Sequence, residues 1–511
     1  MERSSARQAL DMAAPAVVLV GLLFFLRAAS QTPDGLSYAV AVRTGLDMFH
    51  PHHMIYVPVA RAIHLATGAD PITAALWQNL FWTMVLAFAG WRLAGLVFSG
   101  RTSRVLAAGA LLATRGVMIY SVRVETCLPA LACLAMATAL AAVRPVRPWL
   151  LAPALALTVL YHQTNVLFVL PLVMLMAPGP PGATWWAGKG RAILTLGAAA
   201  GLVLIIYAAG FRIEGSPGGF WAFTLSYARA PIEAWGNFGY YSPGGVSLLA
   251  VSQMRMILPV PGGAALLGSV VMSVALFGLV AWHIDRIRRK APLLVLRLFS
   301  LVFLAVYLLF FLWWMPSDAD FFLATLLPLW LLGLILVADL PRVFHSPPLA
   351  AVVVTVLAAG NIIFTIGPMH RDPGSGRALA LALDRTAPAG VEMVTGYAVQ
   401  QEMLYFTDRT RVHEGDGLAR AVLAGEAPWP GTVEDGRVIV IEGPYLRKIL
   451  ERDDLETGEF LRWLVGFDAH QGECLVLRAL PRADGLVLGP GRKQVSSWRA
   501  LVDEIRELSL P

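Results

Sequence analysis

The chain has 511 residues, of which 57% are hydrophobic and 14% charged, with a mean hydropathy of +0.64, far from the roughly 25% charged residues of soluble domains. Its net charge of +6 would suggest nucleic acid in a soluble protein. Here, though, much of the Arg and Lys falls in short connections between apolar runs, an orientation signal, and no nucleic-acid partner is expected. The three cysteines, Cys127, Cys133 and Cys474, have no paired spacing, which speaks against a disulfide framework or a zinc knuckle.

The first apolar stretch, 13–29, follows Arg3 and Arg7 and is read as an uncleaved anchor rather than a signal peptide, because more spans follow. Further runs occur near 72–98, 103–121, 124–142, 148–161, 163–178, 192–211, 263–283, 292–314, 320–338 and 348–367. Since crossing a bilayer takes roughly 17–25 residues, these and the first make about eleven spans. Alternate connections carry Arg3 and Arg7, then Arg92, Arg101 and Arg104, then Arg144 and Arg147, then Lys189 and Arg191, then Arg286 to Lys290, and finally Arg342. The connections at 162 and 315–319 carry neither Lys nor Arg. This alternation puts the N-terminus inside and everything beyond 368 outside.

The connection 212–262, rich in Gly and aromatics, reads as an ordered loop or interfacial helix. After "HRDPGSGR", a Gly/Pro hinge, the composition turns soluble. Short apolar stretches ("VEMVTGY", "GRVIVIEG") alternate with helical ones ("PYLRKILERDDLETGEFLRWLVGF"), as in a small α/β domain. The expected fold is thus a polytopic α-helical membrane protein, with a transmembrane domain over 1–368 and an extracytoplasmic α/β domain over 369–511.

Ionisable groups at membrane depth or its edge are costly and need a reason, and the unusual ones fall on the expected outer side. Asp34 in "TPDGLSY" suits a helix N-cap, or equally a carboxylate that takes a proton from an acceptor hydroxyl. Tyr38 in the same stretch counts among the candidate substrate contacts. His50, His52 and His53 form "HPHH". One short segment does not aim three imidazoles at one tetrahedral centre, so no metal ligand is assigned, and phosphate or hydroxyl contacts, or plain interfacial histidines, are the readings. Arg123 and Glu125 in "YSVRVETCLPAL" either pair with each other or, like Arg115, face an anionic ligand, which guanidinium reads bidentately. His162 and Gln163 in "LYHQTNVLFVLPL" belong to a satisfied buried turn or to the site. Asp318 and Asp320 in "WWMPSDAD" are caps or site groups. There is no G-x-S-x-G, Walker A, G-x-G-x-x-G or H-E-x-x-H signature, so hydrolase, ATPase, nicotinamide-enzyme and zinc-protease readings lose support.

The order of "PDGLSYAVAVRTGLDMFHPHHMIYVPVAR", "YSVRVETCLPAL" and "LYHQTNVLFVLPL" over residues 10–180 resembles the GT-C glycosyltransferases. Within them it is most similar to the DUF2723 group, relatives of a protein O-mannosyltransferase. The resemblance puts Asp34 in the place of the catalytic aspartate, matches His50 and Pro51 to a His-Pro pair and Glu125 to an external glutamate, and sets His162 and Gln163 in a His-rich turn. Asp-Gly stands where Gly-Asp is usual, and "HPHHMIY" replaces a Pro-Gly-Tyr continuation. It implies inverting sugar transfer from a polyprenyl-phosphate donor to a protein or glycan acceptor at the outer face of the membrane. The Ala, Arg, Gly and Leu usage points to a bacterial plasma membrane, and no cofactor is assigned, a divalent cation being compatible but not indicated. The rivals are a transporter or flippase of lipid-linked sugars or small molecules, and a non-catalytic scaffold of the same fold. Against transport stand the absence of two matching halves with broken spans and the size of the C-terminal domain.

Overall fold

The computed structural model describes residues 17, 19–143, 146–176, 185–215, 218–225, 243–259, 265–316, 318–341, 346–407, 409–423, 438–451, 455–466, 468, 470–480 and 484–509. Two compact units emerge. One holds the described residues up to Ala28 together with Ala41–Arg371, and the other joins Ala29–Val40 to the described residues from Asp372 onward.

The first unit is helical. Among its described residues six helices are long and apolar enough to cross a membrane: Pro71–Ala94, Lys189–Glu214, Leu267–Arg288, Leu294–Trp314, Asp320–Asp339 and one starting at Pro347. A seventh is made of Arg101–Leu112 and Arg115–Val122, bent by 67°. Four apolar helices are shorter: Cys127–Ala142, Pro148–Tyr161, Gln163–Met176 and Gly245–Ile257. The helix Pro148–Tyr161 stops at the polar residue His162. At about 1.5 Å per residue, helices of 14 and 16 residues fall short of the roughly 30 Å hydrocarbon core. Most of the 212–262 connection, including "WGNFGYYS", lies outside the described residues.

The 67° bend frees carbonyls that lipid cannot satisfy. Asn361, fully buried, donates to the Ala113 carbonyl at 2.8 Å and to that of Ile257 at 3.1 Å. Arg115 donates to the Arg255 carbonyl at 2.9 Å and reaches the Thr365 hydroxyl at 3.3 Å. Arg115, considered for an anionic ligand, is therefore occupied in tying helices together.

The second unit contains a five-stranded sheet in the order β2-β1-β3-β5-β4. Its strands are β1 (Glu392–Thr395), β2 (Val412–Glu414), β3 (Ile439–Glu442), β4 (Glu473–Ala479) and β5 (Gly485–Gln494). β1 pairs in parallel with β2 and β3, and the β3–β5 and β5–β4 pairs are antiparallel. Successive residues of a strand point to opposite faces, so Ile439 and Ile441 join one core with Leu446, Leu461 and Leu501, and Val440 joins another with Ala380, Leu383 and Met403. Cover on both faces explains why "VIVI", 438–441, is continuously apolar. The small α/β domain expected from the sequence is present.

Candidate functional site

In the sheet-containing unit, Thr32 caps the helix Pro33–Thr44: its hydroxyl accepts from the Gly35 N–H at 2.9 Å, the usual bond from N-cap side chain to third helical residue. The cap role considered for Asp34 thus belongs to Thr32. Asp34 stands exposed in the first turn, where the helix dipole favours a negative charge. Its Oδ1 accepts from the Tyr397 hydroxyl at 3.0 Å, and Tyr397 opens the helix that follows β1. Tyr38, one turn on, is half-buried.

In the helical unit, the segment 49–55 folds against the turn that ends the helix Pro148–Tyr161. The Gln163 N–H donates to the His52 carbonyl at 3.1 Å and the Ile55 N–H to that of Leu160 at 3.4 Å. The Tyr207 hydroxyl holds the Pro51 carbonyl at 2.5 Å, and Glu214 accepts from the Phe49 N–H at 3.0 Å. Gly210 is required for this approach, since a Cβ there would run into Met54 and Phe49. His50 is left exposed, whereas His52, His53 and His162 are 2%, 6% and 5% exposed.

The three buried rings face one another. Centroids are 4.3 Å apart for His52–His53 and His52–His162, and 5.1 Å apart for His53–His162. The objection that one segment cannot aim three imidazoles at a point holds for "HPHH" alone, and His162 takes the place of His50. Burial lowers the pKa of His52 and His53, with the neighbouring imidazoles adding to it, and burial lowers that of His162 to about 3.

Beside them runs the turn 120–126. Asn79, fully buried in Pro71–Ala94, points its amide nitrogen at the carbonyls of Tyr120, Arg123 and Glu125, at 3.0, 2.8 and 3.0 Å. Glu125, 6% exposed, accepts from the Thr126 N–H at 2.9 Å. Arg123 is half-buried, and its Nε has no hydrogen-bond partner among the described residues. Asp320 takes the Tyr120 hydroxyl, and its N–H donates to Asp318 at 3.0 Å. A hollow with about 240 Å³ of empty space brings Asp320 and Phe321 together with Cys127, His162 and Thr164. Gln163 lies beside it in sequence, but its amide donates to the Thr224 carbonyl at 2.8 Å.

Most of the expected residues within the helical unit are thus gathered around one turn-rich end. Asn165 follows the satisfied-turn reading: it donates to the Thr158 carbonyl and accepts from Tyr307, both at 2.9 Å. Sequence reasoning missed Asn79, Thr126 and Tyr397. Asn79 carried a signal, a carboxamide inside an apolar span, and such residues mark functional or packing sites. Tyr397 carried none.

No protein-family model and no curated protein matches the chain. Solved structures do. ArnT from Cupriavidus metallidurans bound to undecaprenyl phosphate is similar with a TM-score of 0.59 at 11% identity, over 94% of this chain and 98% of that one. The apo state of the same protein gives 0.56 at 11% identity over the same shares. The apo oligosaccharyltransferase of Archaeoglobus fulgidus gives 0.48 at 12% identity, over 88% of this chain and 71% of that one. With apolar helices of spanning length and a C-terminal sheet, the chain is a membrane protein with the fold of ArnT.

Proposed function

We propose that the protein is a membrane glycosyltransferase that moves a sugar from a polyprenyl-phosphate donor to an acceptor hydroxyl on a protein or glycan, with inversion. Asp34 is the general base. The observation that supports this most is the placement of Asp34: an exposed carboxylate whose Oδ1 is held by Tyr397, while Oδ2 has no partner among the described residues. A general base needs that freedom to take a proton. The fold shared with a chain that binds undecaprenyl phosphate supports the donor class.

In this reading Asp34 removes the acceptor proton, and the acceptor oxygen bonds to the anomeric carbon as the bond to the lipid phosphate breaks. The leaving phosphate departs as an anion. Arg123, with a guanidinium nitrogen to spare, is the group to stabilise that charge, an electrostatic role worth several kcal/mol in enzymes at large. The histidines share that role, and Tyr38, His50, His52, His53, Glu125, His162, Gln163, Asp318 and Asp320 are the further candidate substrate contacts. Within the sugar-transfer class the DUF2723 resemblance favours a protein O-mannosyltransferase-like enzyme.

The same reading places the N-terminus in the cytoplasm, the sheet-containing domain outside, and the whole in a bacterial plasma membrane. The count of about eleven spans belongs to the same reading.

The test is release of labelled sugar from a panel of polyprenyl-phosphate donors, comparing wild-type membranes with Asp34→Asn at matched expression. One donor should turn over, and the variant should lose on the order of a thousandfold, within the range for a general base. Equal turnover by both proteins removes Asp34 from the mechanism. No turnover of any donor shifts the weight to transport, which a lipid-scrambling assay reads directly.

A further inference from the structure

We infer that His52, His53 and His162 form a binding site for one divalent transition-metal ion of the zinc class, pinning the 49–55 loop to the 160–164 turn. The inference stands whether or not the protein transfers sugar. Each residue offers a ring nitrogen, and these atoms all lie within 4.8 Å of one another. Tetrahedral zinc with nitrogen ligands at about 2.0–2.1 Å sets them about 3.4 Å apart, so loading draws the rings in by roughly an ångström.

The surroundings select the donor atoms. His53 Nδ1 lies 3.2 Å from the Tyr161 carbonyl, which only accepts, so the proton sits on Nδ1 and the lone pair on Nε2. His162 Nδ1 lies 2.7 Å from the Thr164 hydroxyl. With that oxygen accepting, its Nε2 likewise holds the lone pair. Ligand histidines characteristically donate their second nitrogen to a carbonyl or hydroxyl in this way, which fixes the tautomer and ring orientation. His52 directly precedes His53, and a turn closed by the His53 N–H on the His50 carbonyl at 2.8 Å keeps both rings together.

The charge balance also fits. The Glu125 carboxylate is one hydroxyl away: Thr126 Oγ1 lies 3.5 Å from His53 Nε2 and 3.4 Å from Glu125 Oε1. An all-nitrogen set suits zinc, cobalt, nickel or copper and is poor for magnesium or calcium, which take oxygen ligands.

The experiment uses the full-length protein in detergent, stripped with a chelator, then equilibrated with buffered zinc at about micromolar free metal. Metal content is read by mass spectrometry, and a parallel cobalt-loaded sample by its visible d–d absorption. Expected are about one zinc per chain and a tetrahedral cobalt band. His53→Ala and His162→Ala should each lower zinc content at least tenfold, while exposed His50→Ala leaves it unchanged. Thr164→Val, which keeps all ligands, should weaken affinity by about tenfold or more, as loss of an outer-shell partner does. Less than a tenth of a zinc per chain in wild type, no cobalt band, or full content in a monodisperse His162→Ala overturns the site. If neither alanine variant is monodisperse, the wild-type stoichiometry and cobalt spectrum decide alone.

Discussion

Two buried polar clusters in the helical unit invite comparison. At the junction of Leu267–Arg288, Leu294–Trp314 and Asp320–Asp339, the fully buried Arg297 donates to both Asp339 oxygens at 2.7 and 2.9 Å and meets His283 Nδ1 at 2.9 Å. His283 Nε2 reaches the Leu332 carbonyl at 3.0 Å, and Trp282 donates to Asp339 at 3.2 Å. A positive charge meets a negative one with hydrogen bonds on every side, a closed arrangement that clamps three helices. The His52–His53–His162 cluster is built instead of like groups: His53 Nδ1 meets the Tyr161 carbonyl, His162 Nδ1 meets the Thr164 hydroxyl, and ring nitrogens of all three lie within 4.8 Å of one another. A closed charge pair needs nothing further, whereas the three imidazoles are the set inferred above to take a metal ion. The comparison shows why burial alone does not mark a site: the direction of the donors and acceptors does.

The largest stability effect expected tests the closed cluster. Asp339→Leu leaves Arg297 charged and uncompensated, and breaking a buried pair from one side costs about 3–5 kcal/mol. The double variant Arg297→Met/Asp339→Leu should recover most of that loss in detergent melting experiments. A double variant as unstable as the single one would mean that the pair itself, not the uncompensated charge, governs stability. In the open cluster the corresponding single changes should act mainly through metal content.

A smaller effect is expected at a third buried polar group, in the sheet-containing unit. Burial, reinforced by Asp484, pushes Glu442 up to about 7 from an ordinary 4.5, although its Oε2 accepts from the Gly396 N–H at 2.7 Å. Because the folded-state value is raised, its contribution is fully present below pH 4.5 and is lost as pH rises through about 7. Melting of the full chain from pH 5 to 8 should therefore show a decline that Glu442→Gln reduces, on the order of 2 kcal/mol at most. An unchanged pH dependence in Glu442→Gln refutes the assignment. The smallest effect belongs to Arg289 and Asp285, an exposed i,i+4 pair at 3.0 Å. Arg289→Ala should cost about 0.5 kcal/mol or less, so a loss near that of Asp339→Leu would break the contrast between exposed and buried pairs.

Hydrophobic run length and composition were enough to read the membrane class, six long apolar helices and the C-terminal sheet, because lipid and a doubly covered sheet both impose long-range averages that any local window records. Run length was a poorer guide between 103 and 178. There the bend at Thr114 and the polar turns at 123–126 and 162 cut apolar sequence into short helices, through bonds from Asn79 and Asn361 that lie 41 to 248 residues away. The candidate residues were legible as polar interruptions of apolar sequence, but their partners were not. "HPHH" looked like one cluster, yet the fold keeps two of its histidines and recruits His162, and "TPDG" looked like an Asp cap, yet Thr32 has that place.

The sequence by itself thus determined what each segment is: apolar span, polar turn, amphipathic cover or doubly buried strand, since these follow from local periodicity and the solvent each segment meets. Only the tertiary structure decided which polar groups meet, that Arg115 is bound to carbonyls while Arg123 keeps a nitrogen to spare, and that Asp34 leans on a tyrosine 363 residues away. Hydrogen bonds and metal coordination act over about 2–3 Å between atoms, and no one-dimensional pattern carries that distance.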